Sequence, residues 1–480
     1  MRTNRYVLFL GGPFSGVLTA IAVARPDLRT VPWFCLVPLL FSLERHANRP
    51  LLRLSHGLGF GLILCAAELS WVFPVFAGGR PTGLWNQFLA GAETAGVWGV
   101  YCACWSIFCL ASGPIFRREN SLTRLLLLPL LWSGLEVARA ALDSPWVSPW
   151  LFAGTLLSAP LAESQAASVV GIFGLSFALV LSATALSALL HAVRPWRQLG
   201  WALAACAGPA ACFGYGFRAW ETPQPSEPVT VMVVSHEDEA LDTLTRLSMG
   251  LASTLPTWVL WPYLPVEVDM ANQTLEVPVE IRALADALSG VVIGGTPPSL
   301  EPGIPLAIDR VGRRLPLLGE PPGAVESTSA LQIFEARESK GGLGLGFEFH
   351  TPSTARVLTQ NGAEFLLGSA GVRTAWPGWV LEREARLLAF RAIENRRWFA
   401  VSASTWGAVF APDGSAIFRI LGGVEGAGTE TLAAIETLSP YARWGWWLEP
   451  AALLTAFWLI LSAVWRHRSS PAGSPEVEHG

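Results

Sequence analysis

The sequence predicts a polytopic α-helical membrane bundle of about eight helices, with an α/β domain inserted before the last helix. Three observations predict this fold class. The 480 residues are 51% hydrophobic and only 15% charged, whereas a soluble globular protein carries about 25% charged residues. Long apolar runs fill residues 1–220 and return near the C-terminus. The intervening residues 221–444 hold most of the acidic residues and only short apolar runs separated by Gly and Pro.

A bilayer span needs about 20 mostly apolar residues, and eight apolar runs meet or approach this requirement. The first run follows Arg2 and Arg5 and lacks the small-residue cleavage site of a signal peptide. We therefore expect it to be the first membrane helix. The eight runs are residues 6–24, 31–43, 58–76, 88–110, 122–141, 166–193, 199–217 and 446–465.

The distribution of arginine predicts the orientation in the membrane. Loops on the same side as the N-terminus are richer in Arg than loops on the other side, and basic loops stay in the cytoplasm. Both termini are therefore expected to be cytoplasmic and the inserted domain to be outside. The predicted divisions are a seven-helix membrane domain (1–220), the α/β domain (221–444), a C-terminal membrane helix (445–466) and a disordered cytoplasmic tail (467–480).

The charged and sulfur-containing residues exclude several kinds of chemistry. A net charge of -4 and a pI near 6.0 argue against a nucleic-acid-binding protein, which needs a basic face. The 33 basic residues include one lysine, Lys340, and all seven cysteines precede residue 213. A mechanism with a catalytic Lys therefore has one candidate. A mechanism with a Cys nucleophile in the α/β domain has none.

Apolar runs alternate with helical patterns in the insert, which indicates an α/β domain. In the stretch 237–254, leucines recur on one helical face. The predicted helices are residues 237–254, 354–361 and 381–395. The predicted strands are residues 229–234, 257–261, 290–293, 365–367 and 399–403.

Two stretches of the membrane part carry a family resemblance. The first, residues 129–154, is similar to a P-x-x-W…E-W-x-R…G-F-P-W-L-x-x-G pattern, and the second, residues 165–177 (QAASVVGIFGLSF), to Q-x-A…G-x-x-G-L-S-F. Both patterns are those of apolipoprotein N-acyltransferases, bacterial membrane enzymes of the nitrilase-like carbon–nitrogen hydrolase superfamily. The matching residues of the first stretch are Trp132, Glu136, Arg139, Pro149, Trp150, Leu151 and Gly154.

The insert resembles the same family through short motifs in the family's order. The segments 260–263 (LWPY), 315–320 (LPLLGE) and 345–348 (LGFE) resemble V-W-P-E, L-V-P-F-G-E and I-C-Y-E. The segments 391–394 (RAIE) and 411–414 (APDG) resemble R-A-I-E and D-P-x-G. The resemblance covers essentially the whole chain and implies a nitrilase-like αββα fold for the insert, located in the periplasm, and a bundle in the bacterial inner membrane.

The resemblance implies a two-step acyl transfer without cofactor or metal. A Cys thiolate takes an acyl chain from a phospholipid, and the N-terminal amine of a diacylated lipoprotein Cys receives it. A Glu acts as general base and a Lys stabilises the oxyanion. The insert also contains only two His and no Cys, too few ligands for a zinc site.

All three catalytic positions have changed in this chain. Matching the motifs places Tyr263 at the Glu position, Gly312 at the Lys position and Gly346 at the Cys position. Glycine supplies no nucleophile, and a tyrosine with a pKa of about 10 is a poor base at neutral pH. Two supporting carboxylates of the family remain, at Glu320 and Glu348. These changes predict a catalytically inactive homologue, monomeric, that retains phospholipid or lipoprotein binding or a scaffold role.

Two alternatives stay open. An active acyltransferase would need an unconventional Ser or Thr nucleophile beside a His. A membrane transporter would use carboxylates within the bundle, namely Glu68, Glu93 and Glu136. The candidates for the unconventional site are Ser235, Thr351 and Ser353 as nucleophiles, His236 and His350 as bases, and Glu320 and Glu348 as their carboxylate partners.

Overall fold

The computed structural model describes most of the chain. The residues described are 10–78, 80–118, 121–142, 144, 146–147, 150–158, 161–219, 228–236, 240–269, 274–296, 304–318, 332–370, 376–420 and 424–469.

A bundle of helices accounts for both ends of the described chain. Four of the described helical stretches, Pro50–Glu68, Leu84–Phe116, Ala162–His191 and Leu448–Trp465, are long and apolar enough to cross a bilayer. The helices of the bundle are α1 (Gly11–Ala24), α2 (Val37–Arg45), α3 (Pro50–Glu68), α4 (Val72–Gly78), α5 (Leu84–Phe116), α6 (Ser121–Ala140), α7 (Ala167–His191), α8 (Pro195–Ala219) and, after the α/β domain, α14 (Leu448–Ser469).

The predicted apolar runs overlap these helices, with three differences. The run 31–43 contains a 3-10 turn (Val31–Trp33) and the nine-residue helix α2; residues 6–9 of the first run lie outside the described residues. The run 58–76 is not one helix, because α3 begins at Pro50 and the chain turns between α3 and α4. The C-terminal helix continues to Ser469, so the predicted tail begins later than residue 467. The rest of that tail lies outside the described residues.

The first family-like stretch shapes a loop at the end of the bundle. Glu136 Oε1 accepts hydrogen bonds from Trp132 Nε1 at 2.9 Å and from Ala153 N at 2.7 Å. Arg139 donates to the carbonyl oxygen of Val147 at 2.9 Å. These buried side chains make hydrogen bonds to backbone groups that lie outside the α-helices. Lipid could not form hydrogen bonds with these groups.

The α/β domain contains two main sheets and the helices that cover them. Its helices are α9 (Leu241–Met249), α10 (Val279–Ala287), α11 (Pro352–Gln360), α12 (Gly378–Asn395) and α13 (Pro440–Trp444). Its strands are β1 (Pro228–Ser235), β2 (Trp258–Leu260), β3 (Glu267–Asp269), β4 (Thr274–Glu276), β5 (Val291–Gly295), β6 (Pro305–Ile308), β7 (Ile333–Ala336), β8 (Ser339–Leu345), β9 (Phe365–Ala370), β10 (Phe399–Ala403), β11 (Gly407–Phe410), β12 (Ala416–Ile420) and β13 (Gly426–Ala433).

The two sheets pack face to face. Their strand orders are β13-β1-β2-β5-β6 and β12-β11-β10-β9-β8-β7, with parallel strands at the centre of each. Alternate residues of β1 face different cores: Val231 and Val233 lie between the sheets, while Met232 and Val234 contact the core under α9 and α10. The unbroken apolar run of β1 is thus explained by burial on both faces. The architecture is an αββα sandwich.

The outer face of the second sheet joins the domain to the bundle. Helices α11 and α12 cover this sheet, and their apolar residues form one continuous core with those of the bundle. Arg396 at the end of α12 donates to Gln165 Oε1 at 2.8 Å and to Ser168 Oγ at 3.2 Å. Gln165 Nε2 in turn donates to the carbonyl oxygen of Asp413 at 2.7 Å. The second family-like stretch of the sequence therefore contributes to the contact with the α/β domain.

The sequence predicted some elements of the α/β domain and missed others. Strands β1, β2, β5, β9 and β10 and helices α11 and α12 are confirmed within a few residues. In the predicted stretch 237–254 the described helix is shorter, ending at Met249. Helix α11 begins at Pro352, two residues before the predicted start, with Thr351 as its N-cap. Strands β3, β4, β6–β8 and β11–β13 were missed.

Candidate active site

The turn after β8 is a tight elbow between the strand and a short 3-10 helix, with a glycine at its tip. Gly346 follows the strand directly, has a φ of +52°, and is exposed. Its amide donates to the carbonyl oxygen of Ser369 at 2.9 Å. A Cβ atom at this position would meet no other atom within 4 Å. The backbone therefore presents position 346 to open space, where a longer side chain would project.

Glu348 holds this elbow, which we define as Leu345, Gly346 and Phe347. Its Oε2 atom accepts a hydrogen bond from Leu345 N at 2.8 Å, and its Oε1 atom accepts one from Gln332 Nε2 at 3.2 Å. The carboxylate ties the end of the strand to the short 3-10 turn that begins at residue 348. Glu348 therefore stabilises the backbone conformation of the elbow.

Tyr263 lies on the loop after β2, close to the elbow. The side chain of Ser369, at the end of β9, makes the connection. Its hydroxyl contacts the carbonyl oxygen of Pro262 at 2.6 Å and accepts a hydrogen bond from Gly295 N at 2.9 Å, while its carbonyl accepts the amide of Gly346. Ser369 is fully buried. The structure thus brings two of the three predicted catalytic positions to the same edge of the sandwich.

The third predicted position, Gly312, is at the other end of its strand. Strand β6 starts opposite Gly295, at the elbow's edge, and ends at Ile308 opposite Val292. Gly312 is in the turn that follows, with a φ of +78°, and a Cβ there would lie 2.6 Å from Cγ of Arg282 on α10. Position 312 therefore faces the outer helix and not the elbow.

Other sequence candidates do not reach the elbow either. Lys340 is near the start of β8. At the rise per residue of an extended strand, it lies about 20 Å from residue 346. Ser353 is exposed and its nearest polar partner is the Thr351 hydroxyl at 3.4 Å. Ser235 is buried and donates to the carbonyl oxygen of Ala403 at 2.6 Å. Glu320 lies outside the described residues.

Both histidines of the domain pair with carboxylates. His236 lies 3.2 Å from Glu425. His350 Nε2 lies 3.0 Å from Glu384 Oε1, with both side chains 2% exposed, and Glu384 Oε2 accepts a hydrogen bond from Trp406 Nε1 at 3.1 Å. Among the described residues, none of the three candidate Ser and Thr hydroxyls has a hydrogen bond to either His. The arrangement contains His–carboxylate pairs without an adjoining hydroxyl nucleophile.

An aromatic cluster lies between the elbow and the membrane bundle. We use this name for Trp71, Trp150, Phe347 and Trp376. Trp376 stacks on Phe347 with 5.8 Å between ring centroids, and its ring lies 5.0 Å from that of Trp71 and 5.7 Å from that of Trp150. Trp71 and Trp150 also contact each other, with 5.6 Å between ring centroids. Through Trp376, the cluster connects Phe347 of the elbow to these two rings of the bundle.

A groove with two arginines lies on the bundle side of this cluster. Its lining includes Trp71, Trp150, Glu68, Arg383 and Arg386. Arg383 forms an ion pair with Glu68, and Arg386 donates to the carbonyl oxygen of Val23 at 3.2 Å. Burial lowers the pKa of both arginines, yet guanidinium stays charged in proteins. The groove therefore carries one positive charge in excess.

Several residues of this region were missed by the sequence analysis. Glu384 and Arg383 lie in segments without a distinctive motif, and each acts on a partner far away in the sequence. The one available signal was periodicity, because Arg383 and Arg386 are three residues apart and so share a face of the predicted helix 381–395. Of the described residues, no group of three His, Cys, Asp or Glu side chains is placed to hold a metal ion.

The fold defines a class: a membrane-helical protein that carries an αββα domain. Residues 15–185 match the family model of the apolipoprotein N-acyltransferase N-terminal domain. The chain is similar to an apolipoprotein N-acyltransferase of Geobacter metallireducens, with 24% identity over 459 residues that cover 83% of this chain and 84% of the relative. These two findings agree with the family resemblance of the sequence motifs.

The chain is also similar to solved structures. One is a mutant amidase from Nesterenkonia sp. AN1 with acrylamide added at its active-site cysteine, at 16% identity and a TM-score of 0.33, covering 43% of this chain and 94% of the amidase. Another mutant of this amidase, described as a member of the nitrilase superfamily, has 15% identity and a TM-score of 0.33, covering 46% of this chain and 95% of the amidase.

Proposed function

We propose that this chain is a catalytically inactive homologue of the apolipoprotein N-acyltransferases that still binds phospholipid or a lipoprotein N-terminus. The observation that carries the proposal is Gly346, the residue at the tip of an otherwise complete elbow. Glu348 and Ser369 still hold the elbow's backbone. Loss of the nucleophile while its support remains is what we expect of a protein that keeps the fold and has lost the reaction.

The groove beside the aromatic cluster supports retained lipid binding. Its wall contains both apolar side chains of the bundle and the guanidinium groups of Arg383 and Arg386. A phospholipid offers the complementary pair of surfaces, acyl chains and an anionic phosphate, and Arg is well suited to phosphate because its donors form a planar fork. Glu68 neutralises only one of the two cations.

The predicted membrane orientation belongs to the same proposal. The α/β domain, approximately residues 221–444, lies on the periplasmic side of the inner membrane, and both termini lie in the cytoplasm, with the protein as a monomer. The uneven distribution of Arg among the loops supports this orientation.

An acyl-transfer assay tests the loss of activity. The purified full-length chain in detergent is incubated with phosphatidylethanolamine and a diacylated lipopeptide, with an active apolipoprotein N-acyltransferase as the positive control. We expect no N-acylated product and no acyl adduct on the intact protein. Product, or an acyl adduct on Ser235, Thr351 or Ser353, would contradict the proposal and favour the unconventional nucleophile.

A binding assay tests the retained function. We expect the double variant Arg383→Ala/Arg386→Ala to lose at least tenfold in phospholipid binding, while Arg313→Ala, an exposed residue distant from the groove, binds as the wild type does. Equal phospholipid binding by the wild type and the double variant would show that this groove is not the binding site.

A further inference from the structure

A second basic groove lies at the end of the bundle opposite the α/β domain. Helix α7 connects the two ends, because Ile172 N near its start contacts Glu394 of the α/β domain, and His191 at its last turn lines the groove. The rise of an α-helix separates these two residues by about 28 Å. This is close to the roughly 30 Å thickness of a bilayer's hydrocarbon core. The groove therefore lies at the other membrane surface.

The charges of this groove are mostly positive. Glu44, its acidic residue, lies 2.7 Å from Arg124 and 3.2 Å from His191. Arg194 and Arg197 also line the groove and are exposed. None of the ion pairs among the described residues involves either of these two arginines. Glu44 is thus already engaged, and two guanidinium groups remain available to an anion.

The wall of the groove is suited to the interface of a membrane. The guanidinium group of Arg197 lies 5.1 Å from the ring of Trp196, which is 64% exposed. Tryptophan prefers the level of the lipid headgroups. Along α8, Leu199 and Leu203 are 62% and 65% exposed and, four residues apart, share one helix face. The two leucines lie on the helix face next to the one that lines the groove, where they offer an apolar surface to acyl chains.

We propose that this groove binds the headgroup of an anionic phospholipid from the leaflet opposite the α/β domain. Arg194 and Arg197 contact the phosphate, and the acyl chains lie along Leu199 and Leu203. A zwitterionic lipid fits less well, because its own ammonium group would meet the same cations. The site is separate from the groove of Arg383 and Arg386 and does not depend on the function proposed for that groove.

Native mass spectrometry on the full-length protein tests this inference, with phosphatidylglycerol and phosphatidylcholine as the two probes. We expect preferential binding of phosphatidylglycerol to the wild type. Each arginine near a headgroup contributes about a fivefold change in affinity, so Arg194→Ala/Arg197→Ala should bind phosphatidylglycerol about 30-fold more weakly. Binding of phosphatidylcholine should change little.

Arg443 provides the matched control. It also lies over a neighbouring tryptophan, at 5.5 Å from the ring of Trp444, but on α13 at the α/β end of the molecule. Arg443→Ala should retain the wild-type preference. Equal phosphatidylglycerol binding by the wild type and the double variant would overturn the inference, as would an equal loss of both lipids. Because Arg194 and Arg197 are exposed, the thermal unfolding of the double variant in detergent is expected to match the wild type.

Discussion

Glu394 Oε1 accepts a hydrogen bond from Ile172 N at 2.8 Å, and this bond joins the two parts of the protein. Gly171, with a φ of +67°, interrupts the helical backbone of α7 just before Ile172, so the Ile172 amide is turned out of the helix. Glu394 belongs to the RAIE segment of α12, and its other oxygen lies 2.9 Å from Arg391. Two motifs that are 222 residues apart in the sequence thus meet at one buried contact.

Removing this carboxylate should weaken the contact between domain and bundle. Glu394→Ala leaves the Ile172 amide without an acceptor and Arg391 without its ion-pair partner. An unsatisfied buried donor costs about 1–3 kcal/mol, so we expect a lower melting temperature in detergent. Glu394→Gln keeps an acceptor oxygen and should be affected less. Identical melting of the Ala variant and the wild type would show that the bond is energetically unimportant.

Glu394 should also make stability depend on pH. Burial raises its pKa to about 7 from the ordinary 4.5, although Arg391 opposes the shift. Between these two values the folded state binds more protons than the unfolded state, so the free energy of unfolding falls as pH rises from about 4.5 to 7. The loss amounts to about 3 kcal/mol. Melting curves across this range measure it. Glu394→Gln has no group that titrates at this position. If the free energy of unfolding of that variant depended on pH in the same way, another group would be the cause.

The elbow should accept a cysteine. In Gly346→Cys the new side chain projects into open space, at a cost of about 1–2 kcal/mol for the left-handed backbone. We expect a water-soluble maleimide to label this thiol, measured by intact mass. A Cys206→Ser background removes the exposed native cysteine. Without a base at Tyr263 the thiol should form no acyl adduct with phospholipid. Failure to label, in a variant that melts as a folded protein, would show that position 346 is closed.

The Ser369 hydroxyl should be important for the shape of the site. Ser369→Ala leaves Gly295 N without its hydrogen-bond acceptor and releases the loop that carries Tyr263. We expect a loss of about 1–3 kcal/mol in stability, measured by melting in detergent. Ser353→Ala is the control, because an exposed serine away from such contacts changes stability by less than about 0.5 kcal/mol. Equal melting of the two variants would contradict this role.

Strand β8, which the sequence analysis missed, shows why sequence patterns did not predict every strand. Its sequence, SKGGLGL, contains three glycines, and such a composition favours a turn or loop. The structure gives a steric reason for them. A Cβ at Gly341 would lie 2.9 Å from the ring of Phe365 on β9, and one at Gly344 would collide with the ring of Phe349. The glycines make room for aromatic side chains, which is invisible without the neighbouring strand.

The sequence by itself determined what chemistry the α/β domain lacks and where its longer elements lie. The chain has no cysteine after residue 212 and only one lysine, and these facts do not depend on folding. The apolar runs and the helical periodicities identified the bundle and the central strands, because such patterns depend on residues close together in the chain. The order of the family motifs indicated the fold.

Only the tertiary structure decided which predicted site residues meet. Strand register brings Tyr263 and Gly346 to one edge through Ser369 and leaves Gly312 at the other end of β6. The pairing of His350 with Glu384 spans 34 residues. Contacts of this kind depend on the order and direction of strands and on how helices pack, which local sequence patterns do not specify.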